Sequence, residues 1–267
     1  MRTSLSVLVA IFVLAVAFGL HDLYAGKRMG FMSPIQTGNV QTAAKEEYPT
    51  FIQEGQMTDK QKQHSKIFKN YGDVTRGKKI RDLSLSGDVN LIREKGSEIL
   101  TPSSSLRLND YLSLLACHAD AVVVGVIENK ASQLTEDGTF LFTDYGFTPE
   151  EVLKSNPYDP LQVNLEITVT RTGGLAMLNG HIVKAIDETQ KSLRVGGRYL
   201  LFLRYIPATR AYRSLGSTSG DDSFEIVNSS VNQVSDRHAP QDSRKGDKES
   251  FLGIVREVTK RSCQSQS

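Results

Sequence analysis

The sequence predicts a mainly β protein: a small β-barrel with a C-terminal capping helix, preceded by an irregular and partly helical extension. Three observations carry this reading. Apolar, β-branched runs of strand length recur from about residue 115 to 228. Glycine pairs and Asn-Gly or Asp-Gly dipeptides, which suit turns, separate them. One amphipathic stretch of helical period follows. With 267 residues and 39% hydrophobic content, the chain can fill one sizeable core. Its 32 basic and 30 acidic side chains leave a net charge of +2, so the overall balance points to neither nucleic acid nor an acidic partner.

Met1-Arg2-Thr3-Ser4 carries a positive charge, and Leu5 to Leu20 is then uncharged and rich in Val, Leu, Ala and Phe. A transmembrane helix needs about 20 apolar residues, more than this run offers. A charged start, a short apolar core and small residues after it describe a secretory signal over 1–25. Ala15-Val16-Ala17 and Leu23-Tyr24-Ala25 are the cleavage candidates. The expected location is secreted, periplasmic or cell envelope. Membrane attachment is expected only if the segment stays uncleaved as an anchor. In such an oxidising compartment Cys117 and Cys263 allow one intramolecular disulfide, and they lack the spacing of a zinc site.

Residues 26–110 read as an extension. Its first part, 26–56, shows scattered Gly and Pro and no period. Thr58-Asp59-Lys60-Gln61 is a capping box, with Thr at the N-cap and Gln three residues on. His64, Ile67, Phe68 and Tyr71 then fall on one helical face, and Gly72 ends a short helix over 58–71. Its remaining surface is basic: Lys60, Lys62, Lys66 and Lys69, continued by Arg76, Lys78, Lys79 and Arg81. Such a run is either a solvated face or a patch for an anionic surface. No aromatic residues interleave with the lysines as a single-strand binder requires. Residues 83–110 read as a connector with room for one strand at Val89-Asn90-Leu91-Ile92.

The barrel region spans 111–263. Leu114 to Ile127 contains Cys117, His118 and Asp120 at the mouth of a strand, and Ala121 to Ile127 suits a strand buried on both sides. Phe140 to Thr143 is strand-like after the Asp137-Gly138 turn. Residues 144–156 are ambiguous: Thr148-Pro149-Glu150-Glu151 has the local chemistry of a helix start. Leu161 to Thr170 alternates, with Val163, Leu165, Ile167 and Val169 on one face, as a half-buried strand does. Gly173-Gly174 ends it. Asn179-Gly180 marks a hairpin. Tyr199 to Leu203 follows Gly196-Gly197 as a buried strand, Pro207 to Arg210 turn the chain, Ala211-Tyr212-Arg213 returns, and Phe224 to Val227 is a last short strand. Phe251, Ile254, Val255 and Val258 then mark an amphipathic helix ending near Cys263.

"CHADAVVVGVIENK", "FTPEEVLKS", "VGGRYLLFL" and "ESFLGIVREVTKRSC" together resemble the netrin-like module, the OB-type barrel of the tissue inhibitors of metalloproteinases. The same segments also resemble a group of uncharacterised bacterial secreted proteins. The likeness covers about residues 114–263. It implies an OB-like barrel, a strand over 140–155 with Pro149 at an edge or bulge, and a bond from Cys263 back to Cys117. The metalloproteinase inhibitors chelate zinc through an N-terminal Cys-x-Cys. This chain has no cysteine before Cys117, so that activity does not carry over.

Cys117, His118 and Asp120 are the first chemical constellation to weigh. On a strand Cys117 and His118 would point apart, leaving a thiol nucleophile to find a distant base in His21, His64, His181 or His238. His118 and Asp120 would share a face, but two ligands do not make a structural metal site. Asp144, Glu150, Glu151 and Asp159 match ordinary surface composition, and no Gly-x-Ser-x-Gly, His-Glu-x-x-His or P-loop occurs. The sequence therefore names no catalytic residue, metal or cofactor. Tyr145, Phe147, Tyr199, Tyr205 and Tyr212, with Phe202, form a binding face of OB type if they point outward and fill the core if they point inward. The functional expectation is an exported, non-enzymatic binding module for an unknown protein or polymer at the cell surface, not for nucleic acid. Inhibition of an extracellular hydrolase without zinc chelation is the first alternative, and an unrecognised enzyme the second.

Overall fold

Strands form wherever β-branched and aromatic runs find a partner edge: 43% of the described residues are strand and 22% helix. The computed structural model describes residues 50–69, 73–93, 107–215, 223–234 and 246–261. The signal segment, Tyr71, Gly72 and Cys263 lie outside them. The described residues belong to one compact unit within 46–267.

The chain opens with β1 (Thr50–Phe51), a 3-10 turn (Glu54–Gln56), α1 (Asp59–Ile67), α2 (Ile80–Leu83) and β2 (Val89–Arg93). There follow α3 (Leu108–His118), β3 (Ala121–Leu134), β4 (Leu141–Lys154), β5 (Ile167–Thr172), β6 (Gly174–Leu178) and β7 (His181–Asp187). β8 (Arg198–Ile206), β9 (Ala211–Ser214), β10 (Ser223–Val227), β11 (Ser230–Gln233), β12 (Gly246–Asp247) and α4 (Lys248–Lys260) complete it.

Nine strands hydrogen-bond in the order β1-β3-β4-β5-β9-β8-β10-β11-β12, and β3 pairs with β8 as well. Following the pairings from β3 through β4, β5, β9 and β8 thus leads back to β3. All are antiparallel except β5 with β9. A second sheet, β2-β7-β6, carries the Asn179-Gly180 hairpin with both turn residues at positive φ. The extension does not stand apart: β1 lies parallel on β3 and β2 parallel on β7.

The continuous apolar run of β3 is explained by its two faces. Ala121, Val123 and Ile127 join Tyr145, Phe147, Val169, Leu201 and Leu203 in one core. Val122 and Val124 join Leu200, Phe202 and Phe224 in another, completed by α3 and α4 through Leu112, Leu115, Phe251 and Val255. The β3–β4 ladder shifts register three times; at two of these β4 residues, Glu150 and Leu153, are skipped. Pro149 opposes Gly125 there, past Phe147, the last β4 residue paired to β5, where a strand tolerates proline. Gly125 is obligatory: a Cβ on it would stand 2.1 Å from the Thr148 carbonyl oxygen.

Three expectations need correction. Residues 114–118 are not the start of a strand but the last turns of α3, because Leu108, Tyr111, Leu112, Leu115 and Ala116 repeat at helical spacing. Leu161 to Glu166 is not strand: Asn164 adopts φ 63°, which reverses the chain and leaves Val163 and Leu165 exposed. β11 and β12 extend the sheet beyond the strand expected to be last.

Candidate functional site

The capping box of α1 is complete. Gln61 N donates to Thr58 Oγ1 at 3.2 Å, and Thr58 N donates to Gln61 Oε1 at 2.8 Å. Polar contacts seat this helix on the β4–β5 surface. His64 is fully buried, its Nδ1 lying 2.9 and 3.1 Å from the two oxygens of Asp144. A carboxylate only accepts, so Nδ1 carries the proton; in the neutral ring Nε2 then accepts from the Thr209 hydroxyl at 2.8 Å. Lys60 donates to Thr168 Oγ1 at 2.8 Å. Burial against the sheet lowers the Lys60 pKa, opposed by the charges of Asp144 and Glu166. Met57, Phe68 and Phe142 supply a small apolar contact beneath.

The opposite flank of α1 faces a cleft of about 370 Å³. Lys62 and Lys66 enter it from α1, Lys79 from the N-cap of α2 and Arg81 from α2 itself. Glu136 and Asp137 also border it, so the lining keeps a positive excess. A tight turn over 135–138 borders it as well. Asp137 accepts from Thr135 Oγ1 at 2.6 Å and from Thr139 N at 3.2 Å. Glu136 N donates to the Ser65 carbonyl at 3.1 Å, and Ile80 N to the Gly138 carbonyl at 2.8 Å. Backbone bonds thus tie this turn to α1 and to the start of α2, while the four cations are exposed.

Cys117 and His118 are exposed in the last turn of α3. Asp120 is occupied elsewhere, accepting from Tyr205 N at 2.8 Å. Lys154 donates to the carbonyls of Ala116 (2.8 Å) and Ala119 (2.6 Å), capping the helix where its unpaired carbonyls and dipole favour a cation. Burial lowers the Lys154 pKa, opposed by Asp120. Among the described residues, no three His, Cys, Asp or Glu side chains gather as a metal site.

The aromatic residues do not form an outward face. Tyr145, Phe147, Tyr199 and Tyr212 share their strand faces with Val169, Leu201 and Leu203 and are buried with them, while Phe202 fills the helix-side core. Their hydroxyls have fixed partners. Tyr199 accepts from Arg194 N at 2.9 Å, and burial pushes its pKa up to about 12. Burial does the same for Tyr212, to about 12, whose hydroxyl donates to the Asp159 carbonyl at 3.3 Å. Only Tyr205 is half-buried; it leans on Tyr212 with centroids 5.3 Å apart and donates to Asp159 at 3.0 Å. The Arg210 guanidinium, followed by the Tyr205 hydroxyl, holds the Asp159 carboxyl below its ordinary pKa.

Sequence reasoning treated His64 as one of several distant bases and Asp144 as surface acid. Their pairing across 80 residues has no local signal. The lysines were legible as a run, but not their convergence with Lys79 and Arg81 on one cleft.

No family model and no curated protein matches the sequence. Among the described residues, no helix is long and apolar enough to cross a membrane.

Proposed function

We propose that this protein is an exported, non-enzymatic binding module, that its ring of five strand pairings is a netrin-like OB barrel, and that the basic cleft receives an acidic polymer of the cell surface. The observation that carries the ligand reading is the convergence of Lys62, Lys66, Lys79 and Arg81 from two helices on one cleft. Its size falls within the range of ligand sites. Exposed lysines on separate elements, held at fixed spacing, suit a repeating anion better than a single compact one. The order β3-β4-β5-β9-β8 with its lone parallel pair supports the barrel reading.

The disulfide belongs to the same proposal. α3 and α4 share a core, and the end of β4 touches both helices. Lys154 holds the C-terminus of α3, and Glu151 pairs with Arg256 of α4 at 2.9 and 3.0 Å. Cys117 lies in that turn of α3, and Cys263 follows α4 by three residues. A bond between them would close a loop of roughly 150 residues and add ~3–5 kcal/mol.

Titration of the exported protein with dextran sulfate tests the ligand class. Binding should weaken steeply with salt. The double variant K66Q/K79Q should bind about tenfold more weakly, from roughly 0.7 kcal/mol for each exposed charge. No binding, or binding indifferent to both lysines, overturns the reading.

A further inference from the structure

Beyond the cleft, the interior of the strand ring holds a second group whose chemistry asks for a partner. The inward residues of β5 are Ile167, Val169 and Arg171, set by the pairing of Val169 with Tyr145 in the core and of Arg171 with Thr143 two places on. Arg171 is the largest fully buried side chain among the described residues, 1% exposed. Its Nη1 donates to Ser223 Oγ at 2.7 Å. Its Nε and Nη2 are buried without a hydrogen-bond partner. These two N–H groups lie on one edge of the guanidinium plane, the edge that grips carboxylate or phosphate through two parallel bonds. Parallel pairing of Thr170 with Arg213 brings the next residue of β9, Ser214, level with Arg171. The Ser214 hydroxyl is also buried and unpartnered.

A buried lysine could relieve such a position by losing its proton. Arginine cannot, because a guanidinium keeps its proton throughout the ordinary pH range. A buried cation without a counter-charge is strongly unfavourable, and among the described residues no carboxylate pairs with Arg171. We propose that Arg171 and Ser214 form a buried oxyanion site inside the ring, with Ser223 fixing the guanidinium so that its Nε/Nη2 edge receives a carboxylate or phosphate group. The site is separate from the basic cleft, and one can fail without the other. An anion seated there locks β5, β9 and β10 together at the end of the core where apolar side chains give way to hydroxyls.

The test is thermal unfolding of the whole exported protein in chloride, acetate or inorganic phosphate at equal ionic strength, with acetate reporting carboxylate and phosphate reporting a phosphate ligand. One or both should raise Tm saturably, by about 5 °C or more at a hundredfold excess over Kd. R171M should abolish the rise, and S214A should weaken it. K66Q/K79Q should keep it, which separates this site from the cleft. A wild type indifferent to both anions overturns the proposal; so does an anion response that survives in R171M, or in S214A at full size should R171M fail to fold. Asp221 and Asp222 directly precede Ser223 in sequence. If D221N or D222N lowers Tm while added anions do nothing, the guanidinium is met by the chain's own carboxylate and the ligand site is refuted.

Discussion

The strand ring is covered on two sides, and the covers are held by different physics. On one side α3 and α4 bury Leu112, Leu115, Phe251, Leu252, Val255 and Val258 against Val122, Val124, Phe202 and Phe224. On the other, α1 brings mainly polar groups: His64 to Asp144 and Thr209, and Lys60 to Thr168. Apolar burial scales with area and is indifferent to small misplacement. A buried hydrogen-bond pair is worth little net when made and costs much when half-broken. The first cover should therefore carry global stability, and the second should set where the cleft-lining helix sits.

The largest expected break is F251A, which removes a buried aromatic contacting Phe224 at a 5.0 Å centroid distance. It should cost about 4 kcal/mol of global stability in denaturant titration. An equal loss confined to α4 in hydrogen exchange would show that the helix layer is not part of the cooperative core. Next is the interior both covers share. Tyr199 keeps its proton to about pH 12 when folded, against about 10 for an ordinary tyrosine. The unfolded chain therefore releases a proton first as pH rises. Stability should be intact below pH 10 and fall between 10 and 12, by ~2–3 kcal/mol for this residue. Y199F should flatten that part of the pH profile, and an unchanged slope would contradict the burial.

H64A should cost about 2 kcal/mol, because Asp144 is left buried without its donor. The loss should be read in α1 amide exchange rather than in the global midpoint. A drop in the global midpoint equal to that of F251A would erase the distinction between the covers. The smallest effect is T58A, about 1 kcal/mol, confined to the capped end of α1. Cleft binding should fall with H64A and T58A in that order, since each loosens the helix that bears Lys62 and Lys66.

The same contrast explains what the sequence made legible. α4 shows its period openly because area is what it buries. The capping box of α1 and the Asn179-Gly180 turn are visible because each is local chemistry. The strand over 140–155 ran against its own local helix signals and was reached only through resemblance, since Pro149 is tolerated there by pairing that spans the chain. α3 was missed because its apolar face runs straight into β3, hiding a change of period inside one hydrophobic stretch. The direction of Tyr145 and Tyr199 depends on register, which alternation alone leaves open. Arg171 gave no signal at all: a buried arginine in a strand reads like an exposed one.

Leu153 is one of the β4 residues without an opposite number on β3. Side chains along a strand alternate, so Glu151 and Lys154, three apart, ought to face opposite ways. The extra residue restores parity: Glu151 stands across from Val124 and Lys154 across from Val122, both toward the helices. A single supernumerary amino acid thereby hands two helices to one strand tip. Straightening the bulge while keeping Leu153 would turn the ammonium toward the tyrosine-lined interior and unfasten α3. Descendants of this chain can lose the bulge and its residue together, but not the bulge alone.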